Sequence, residues 1–298
     1  MSDTKDESQR VARRALLLGM GGLGAAFWLG CGEGTTASSS SGGSSGGGSS
    51  GVSGGSSGTS SVDPSGFATG DGSFLTGKDY GDPFVSEGGG CTAFVGATEG
   101  PCHSNTYHRV DLTEGLVGLP TRIELRVVDA ACNPIAGAIV EIWYAAPSGA
   151  YSQAAQAADD EAEYSGSLRD LNAGFCTGNN AEALASGWLR AYQVSDAAGR
   201  VHFDGIFPGW YSGRTPHIHF TVAIEGRKVL TSQVVFDEAL TTQIYTGHGA
   251  YKSRGDKDTT NQNDNVVGRG GLTAAMALME HAQQEDGALL VWKSITVG

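Results

Sequence analysis

His217 and His219 stand two apart in a run whose intervening residues Ile218, Phe220, Val222 and Ile224 are apolar. That alternation is the pattern of a β-strand, so both imidazoles, with Thr221 and Ala223, share the face opposite the apolar one. Residues i and i+2 lie about 6.5–7 Å apart along a strand, a separation from which two imidazoles can converge on one metal ion. Two histidines that are only surface or hydrogen-bonded residues would show the same spacing. Immediately upstream, the Pro/Gly-bounded loop Phe207–Pro216 delivers Tyr211 and Arg214 next to the histidines.

The elements that must hold these residues read as strands. From about Gly89 onward, short apolar-alternating runs are punctuated by turn residues, which predicts an all-β body built as a β-sandwich or barrel. Thr121–Val128 alternates Ile123, Leu125 and Val127 against Arg122, Glu124 and Arg126. Asn133-Pro134 and Ala136-Gly137 mark a turn, and Ala138–Tyr144 is a second strand. Trp188–Ser195 and Arg200–Asp204 flank Asp196–Gly199 and read as a hairpin. His217–Ile224 and Lys228–Phe236 flank Glu225–Arg227 and read as another. Ser152–Gly187 is long, Ala-rich and acidic and is expected to hold a short helix or an ordered loop. Leu272–Gln284 is a helix or a strand, followed by a strand over Ala288–Val297.

The chain has 298 residues, a formal net charge of −13, 39% hydrophobic and 17% charged residues, 47 Gly and 5 Cys. The length suits one large domain or two small ones, and the acidity counts against sequence-independent nucleic-acid binding, which needs clustered Lys and Arg. Of the 24 residues from Ser38 to Ser61, 22 are Ser or Gly, a composition that cannot bury a core. Lys5, Arg10, Arg13 and Arg14 precede a mostly apolar run from Ala15 to Leu29, too short to span a bilayer comfortably. Arg13-Arg14 with the apolar run resembles a twin-arginine export signal, and Leu29-Gly30-Cys31 resembles the end of a lipobox, although Trp28 departs from it. The expected organisation is an export signal over 1–30, a Ser/Gly-rich flexible linker over 31–88 and a β-sandwich domain over 89–298. The protein is then exported, as a bacterial surface lipoprotein attached to the membrane through lipid at Cys31 or as a released periplasmic or extracellular protein. Cys91, Cys102, Cys132 and Cys176 remain for disulfides, with three pairings open.

The run Pro208-Gly209-Trp210-Tyr211-Ser212-Gly213-Arg214-Thr215-Pro216-His217-Ile218-His219 resembles the signature of the intradiol ring-cleavage dioxygenases, non-haem iron(III) enzymes that open catechols. Further blocks resemble the family in its order: Thr98-Glu99-Gly100-Pro101, the stretch Val128–Gly137, Glu141-Ile142-Trp143 followed by Gly149-Ala150-Tyr151-Ser152, and the strand of Gln233. They cover roughly Cys91 to Val267 and resemble most the secreted, protocatechuate-dioxygenase-like branch. The resemblance implies Tyr151, Tyr211, His217 and His219 as ligands of Fe(III), Arg214 and Tyr211 as catalytic residues, and Gln233 as a supporting residue on the neighbouring strand. Two phenolates and two imidazoles form a hard, anionic set suited to Fe(III). Coordination to a trivalent ion allows phenols of ordinary pKa about 10 to ionise at neutral pH. Tyr144 is a nearby competitor for the role of Tyr151, and Trp143 and Trp210 read as core or wall.

By the same resemblance, the partners are a small catechol-type substrate and O2, and the product is a cis,cis-muconate-type diacid that keeps both oxygen atoms. A non-catalytic surface module that binds catechols or phenolics through the same iron site is the competing reading, since fold alone does not fix function. Two departures from the family stand where they would reshape a substrate pocket. Cys102-His103 replace residues usually aromatic, and the insertion Ser152–Gly187 is longer than usual.

Overall fold

The computed structural model describes residues 62–86, 91–152 and 173–298. The export signal, Cys31, the Ser/Gly tract and residues 153–172 of the long insertion lie outside the described residues.

Among the described residues, nine strands form two sheets, and the fold is mainly β as expected. The first sheet has the order β1 (Tyr107–His108), β4 (Arg190–Val194), β3 (Ile139–Tyr144), β6 (His217–Ile224), β7 (Arg227–Val235). The second has the order β5 (Arg200–Ile206), β2 (Pro120–Val128), β9 (Leu289–Thr296), β8 (Glu280–Gln283). Pairing is antiparallel except for β1 with β4 and β2 with β9. The alternation in β2 works as the period of a strand requires: Ile123, Leu125 and Val127 are fully buried. They meet Val140 and Ile142 of β3, Ile218, Phe220 and Val222 of β6 and Val291 and Ile295 of β9 in one apolar core shared by both sheets.

The β6–β7 hairpin forms as the sequence predicts, through a tight turn in which Glu225 and Gly226 both have positive φ (50° and 73°). That is the geometry whose twist matches paired strands. The other expected hairpin does not form. The turn at Asp196–Gly199 exists, with Gly199 N donating to Asp196 O, but β4 pairs with β3 and β1 while β5 pairs with β2. The turn is a corner between the sheets, so that Ala191 and Phe203 enter the common core from opposite sides. Local turn chemistry cannot distinguish this crossing from a hairpin.

The linker boundary also differs from the expectation of 31–88. Residues Val62–Ser86 are packed on the domain, because Phe67, Leu75 and Phe84 find buried places and Tyr80 and Phe84 lie under the guanidinium groups of Arg122 and Arg126. Arg122 in turn pairs with Asp204 at 2.8 Å. The Gly, Asp and Ser content of the segment masks its aromatic side chains, which give it enough apolar surface to bury. Within the insertion, two short helices are described, α1 (Ala173–Thr177) and α2 (Ala181–Ala185). The sequence reading did not assign α3 (Glu238–Gly247), which Asp237 caps through Leu240 N. The ambiguous segment Leu272–Gln284 contains both a helical turn, α4 (Ala274–Ala277), and β8.

The four cysteines pair as Cys91–Cys132 and Cys102–Cys176. The second bridge belongs to a smaller apolar cluster on the far side of the first sheet, with Trp143, Ala145 and Tyr151, against which Tyr211 packs. Strand β6 is therefore buried on both faces. Cys91–Cys132 closes a separation of 41 residues and is not part of that cluster. Replacing both by Ala is expected to lower stability by about 2–4 kcal/mol in chemical denaturation, through the entropy of the unfolded chain, and to leave metal binding unchanged.

Candidate metal centre

His217 opens β6 directly after the loop Phe207–Pro216. Its Nδ1–H donates to the Thr215 carbonyl at 2.6 Å, which leaves the Nε2 lone pair facing inward. Around that Nε2 stand His219 Nε2 at 3.1 Å, Tyr151 Oη at 3.3 Å and Tyr211 Oη at 3.3 Å. The four side chains implied as ligands thus present four donor atoms to one point. The His219 ring is stacked on Trp143, its neighbour across β3, with centroids 4.9 Å apart and planes within 9°. Glu99-Gly100-Pro101 passes close to the same ring. Gly100 has φ +77°, and a Cβ there would lie 3.2 Å from His219 Cε1, so a side chain at this position would press on the imidazole.

Tyr151 is set by a turn in which Gly149 N donates to Ala146 O and Ala146 N to Ala150 O. Gly149 has φ +84°, and a Cβ on it would fall 2.4 Å from the Trp210 carbonyl, so only glycine lets this turn lie against the loop that carries Tyr211. Tyr151 N then donates to Cys176 O at 2.7 Å. Tyr144 faces the main core instead and takes no part in the centre. Trp143 and Trp210 are wall residues as read, the latter donating to Gly255 O and lying under Arg254.

Burial decides the protonation of these groups. It pushes His217 down to about 3, helped by the Arg214 charge, and holds His219 well below the ordinary range. Both imidazoles are neutral and keep a lone pair for a metal. The same burial raises both phenols, Tyr151 the more strongly. Their ionisation therefore needs a cation at the point they face, which a trivalent ion would supply. Among the described residues, no group of three or more His, Cys, Asp or Glu side chains could hold a metal ion. A centre here must include the tyrosines, and the set that results, two imidazoles and two phenols, fits a hard ferric ion.

Arg214 reaches the centre by its Nη1, 3.4 Å from Tyr211 Oη, while Nη2 donates to Gln233 Oε1 at 2.5 Å. Gln233 sits on β7 directly opposite His219 and donates to Thr98 O. Asp264, absent from the sequence-based set, is the third partner. Wholly buried, it accepts from Arg214 Nε and Thr215 N with one oxygen and from Val266 and Val267 N with the other, all at 2.8–2.9 Å. Its only sequence signal is the polar run Asn261–Asp264, which reads as a turn. Cys102 and His103 are both buried. Cys102 is in the disulfide, and His103, 1% exposed, packs edge-on against Trp143 with Nε2 2.9 Å from Glu141 Oε1.

Keeping two imidazoles neutral has a pH signature in the metal-free protein. Unfolded histidines take up protons below about pH 6.5, whereas folded His217 resists until about pH 3. The unfolded state binds more protons between those limits, so stability is full above the upper one and falls as the pH drops toward the lower. Urea denaturation across this range is expected to show that slope, and replacing both histidines by Gln to flatten it.

The family model for Dioxygenase_C, described as a dioxygenase, matches residues 97–246, just over half of the chain. No curated protein matches the sequence. The intradiol ring-cleavage dioxygenase from Tetranychus urticae is similar in structure, with a TM-score of 0.56 and 25% identity over 70% of this chain and 95% of that one. The dioxygenase Tetur07g02040 is similar over the same shares, with a TM-score of 0.54 and 25% identity. The matched segment runs from the turn that passes over His219 to the end of α3 and takes in both tyrosines and both histidines. The chain belongs to the intradiol ring-cleavage dioxygenase family.

Proposed function

We propose that the protein is an iron(III)-dependent dioxygenase that opens a catechol-type ring between its two hydroxylated carbons with O2, giving a cis,cis-muconate-type diacid. The observation that carries this reading is the convergence of Tyr151, Tyr211, His217 and His219 on one point beside Arg214. A ferric ion held by these four residues would bind the substrate diol and draw electron density from the ring, preparing it for dioxygen.

The chain's own groups divide the remaining work. His217, tied to Thr215, and His219, stacked on Trp143, are rigid and neutral and suit permanent ligation. The tyrosines are not equivalent. Tyr151 is 2% exposed, whereas Tyr211 is half-buried and lies on a loop. Tyr211 is the phenol nearer to solvent, and by the family resemblance its Oη would act as the base that takes a proton from an incoming diol. Arg214, beside that oxygen, supplies a fixed positive charge for the carbanion character that develops on the substrate. Asp264 and Gln233 hold its guanidinium in place, and the residual charge of Asp264 is shared with three backbone N–H groups. The two disulfides support the exported, oxidising location read from the N-terminal residues.

The test is to load the full chain with iron, record its visible tyrosinate-to-iron absorption and follow oxygen uptake and ring-opened product after adding catechols in air. A coloured protein that consumes one O2 per catechol is expected. A colourless protein overturns the ligand set, and one that binds catechol without oxygen uptake is a binding module. Tyr211→Phe is expected to shift the band and lower turnover by about 10²-fold or more. Asp264→Asn should leave the band in place and reduce kcat about 10–100-fold, as loss of an orienting partner does.

A further inference from the structure

Arg190, the first residue of β4, is completely buried and lies opposite Trp143 of β3. A buried guanidinium is normally paired with a carboxylate, since desolvation of a lone cation is costly. No carboxylate hydrogen-bonds to Arg190 among the described residues, although the buried Glu141 charge acts on it; the acceptors it uses are oxygens of two backbone carbonyls and one hydroxyl. Nε donates to Ser152 O at 3.1 Å and Ser152 Oγ at 3.0 Å, and Nη2 to Ser152 O at 2.6 Å and Cys102 O at 2.8 Å. Nη1 is buried with no partner. The guanidinium carbon lies 5.9 Å from the centre of the Tyr151 ring. Burial draws the Arg190 pKa down only to about 10, so the group stays charged at neutral pH.

These contacts enclose Tyr151. On its N-terminal side, Tyr151 N–H is held by Cys176 O, and Cys176 is joined to Cys102. On its C-terminal side, the Ser152 carbonyl is held by Arg190, which also holds the Cys102 carbonyl. Backbone, disulfide and guanidinium form one closed circuit around a single residue. The backbone beside Tyr211 is held differently, by Arg214 N donating to Tyr211 O and Arg254 donating to Trp210 O, and its loop is fixed through Arg214 and Asp264.

We infer that Arg190 is a positioning residue that holds the Tyr151 hydroxyl at the metal point, its charge facing the ring that becomes anionic on ligation. The inference rests on the reading of Tyr151 as a ligand. It sets the two tyrosines apart by how each is held: Tyr151 is clamped from both sides of its backbone and shielded from solvent, whereas Tyr211 is half-buried with the Arg214 guanidinium 3.4 Å from its hydroxyl.

The experiment uses the iron-loaded full chain and compares Arg190→Met and Arg190→Lys, each alone and combined with Tyr151→Phe or Tyr211→Phe. Visible absorption, iron affinity and thermal unfolding are measured on every variant. Arg190→Met is expected to shift the tyrosinate band and weaken iron binding about 10–100-fold, with Arg190→Lys recovering part of both because it keeps the charge. In the Tyr211→Phe background, where the band comes from Tyr151, the shift persists. In the Tyr151→Phe background, where it comes from Tyr211, the shift is gone. A variant that only melts earlier, or one that shifts the band equally in both backgrounds, overturns the inference and makes Arg190 a structural peg. Should Arg190→Met not accumulate, Arg190→Lys read in the two backgrounds gives the same decision. A wild-type chain with no band removes the ligand reading and this inference together; a normal wild-type band indifferent to Arg190 removes only the inference.

Discussion

Two uncharged imidazoles, two residues apart, are buried on a central strand whose other face is the main hydrophobic core. That constraint governs the domain. A strand in this position cannot shift register by one residue, because doing so would turn His217 and His219 into the core and Ile218, Phe220 and Val222 out of it. Everything around the strand keeps that register in place: the tight hairpin to β7, the pairing with β3 that brings Trp143 onto His219, and the carbonyl of Thr215 that orients His217. Desolvation then does what no single contact does. It keeps the imidazoles neutral and the phenols protonated until a cation arrives.

The centre is assembled by backbone contact as much as by side chains. The turn before Tyr151 and the loop bearing Tyr211 touch through Gly149, and Gly209 is as tightly placed, since a Cβ there would meet the Ala146 carbonyl at 1.9 Å. The two phenols come from segments 60 residues apart in sequence, and this interlocking is what sets their distance to His217. Each charged group near them is answered by a different device: Arg214 by the carboxylate of Asp264, Arg190 by carbonyl oxygens, and Glu141 by His103 and Thr106.

What the sequence discloses follows the range of the interaction. The strand carrying the histidines, the β2 alternation and the β6–β7 turn depend on neighbours within a few residues and were readable as patterns. Tyr151 was readable only through the order of its surrounding blocks, because nothing local separates it from Tyr144. Asp264 was not, since its meaning lies in a guanidinium 50 residues earlier. The corner between β4 and β5 looks like a hairpin in sequence for a related reason: a turn specifies a reversal, and the partner of each strand is chosen by the whole core. Residues 62–86 look like linker in sequence because composition averages out a few well-spaced aromatic residues, and packing does not.

The parallel pairing of β2 with β9 has a consequence for the order in which the domain can form. β9 lies inside the second sheet, between β2 and β8, and meets a strand about 170 residues earlier in the sequence. During synthesis, β6, β7 and the histidines emerge while the second sheet still lacks its middle, so the main core stays open on one side. Closing that gap is a long-range step of the kind that slows folding, and until Leu289–Thr296 has been made, Ile123 and Leu125 have no parallel neighbour to cover their edge. The second sheet is thus completed only after every residue of the metal centre has already been added.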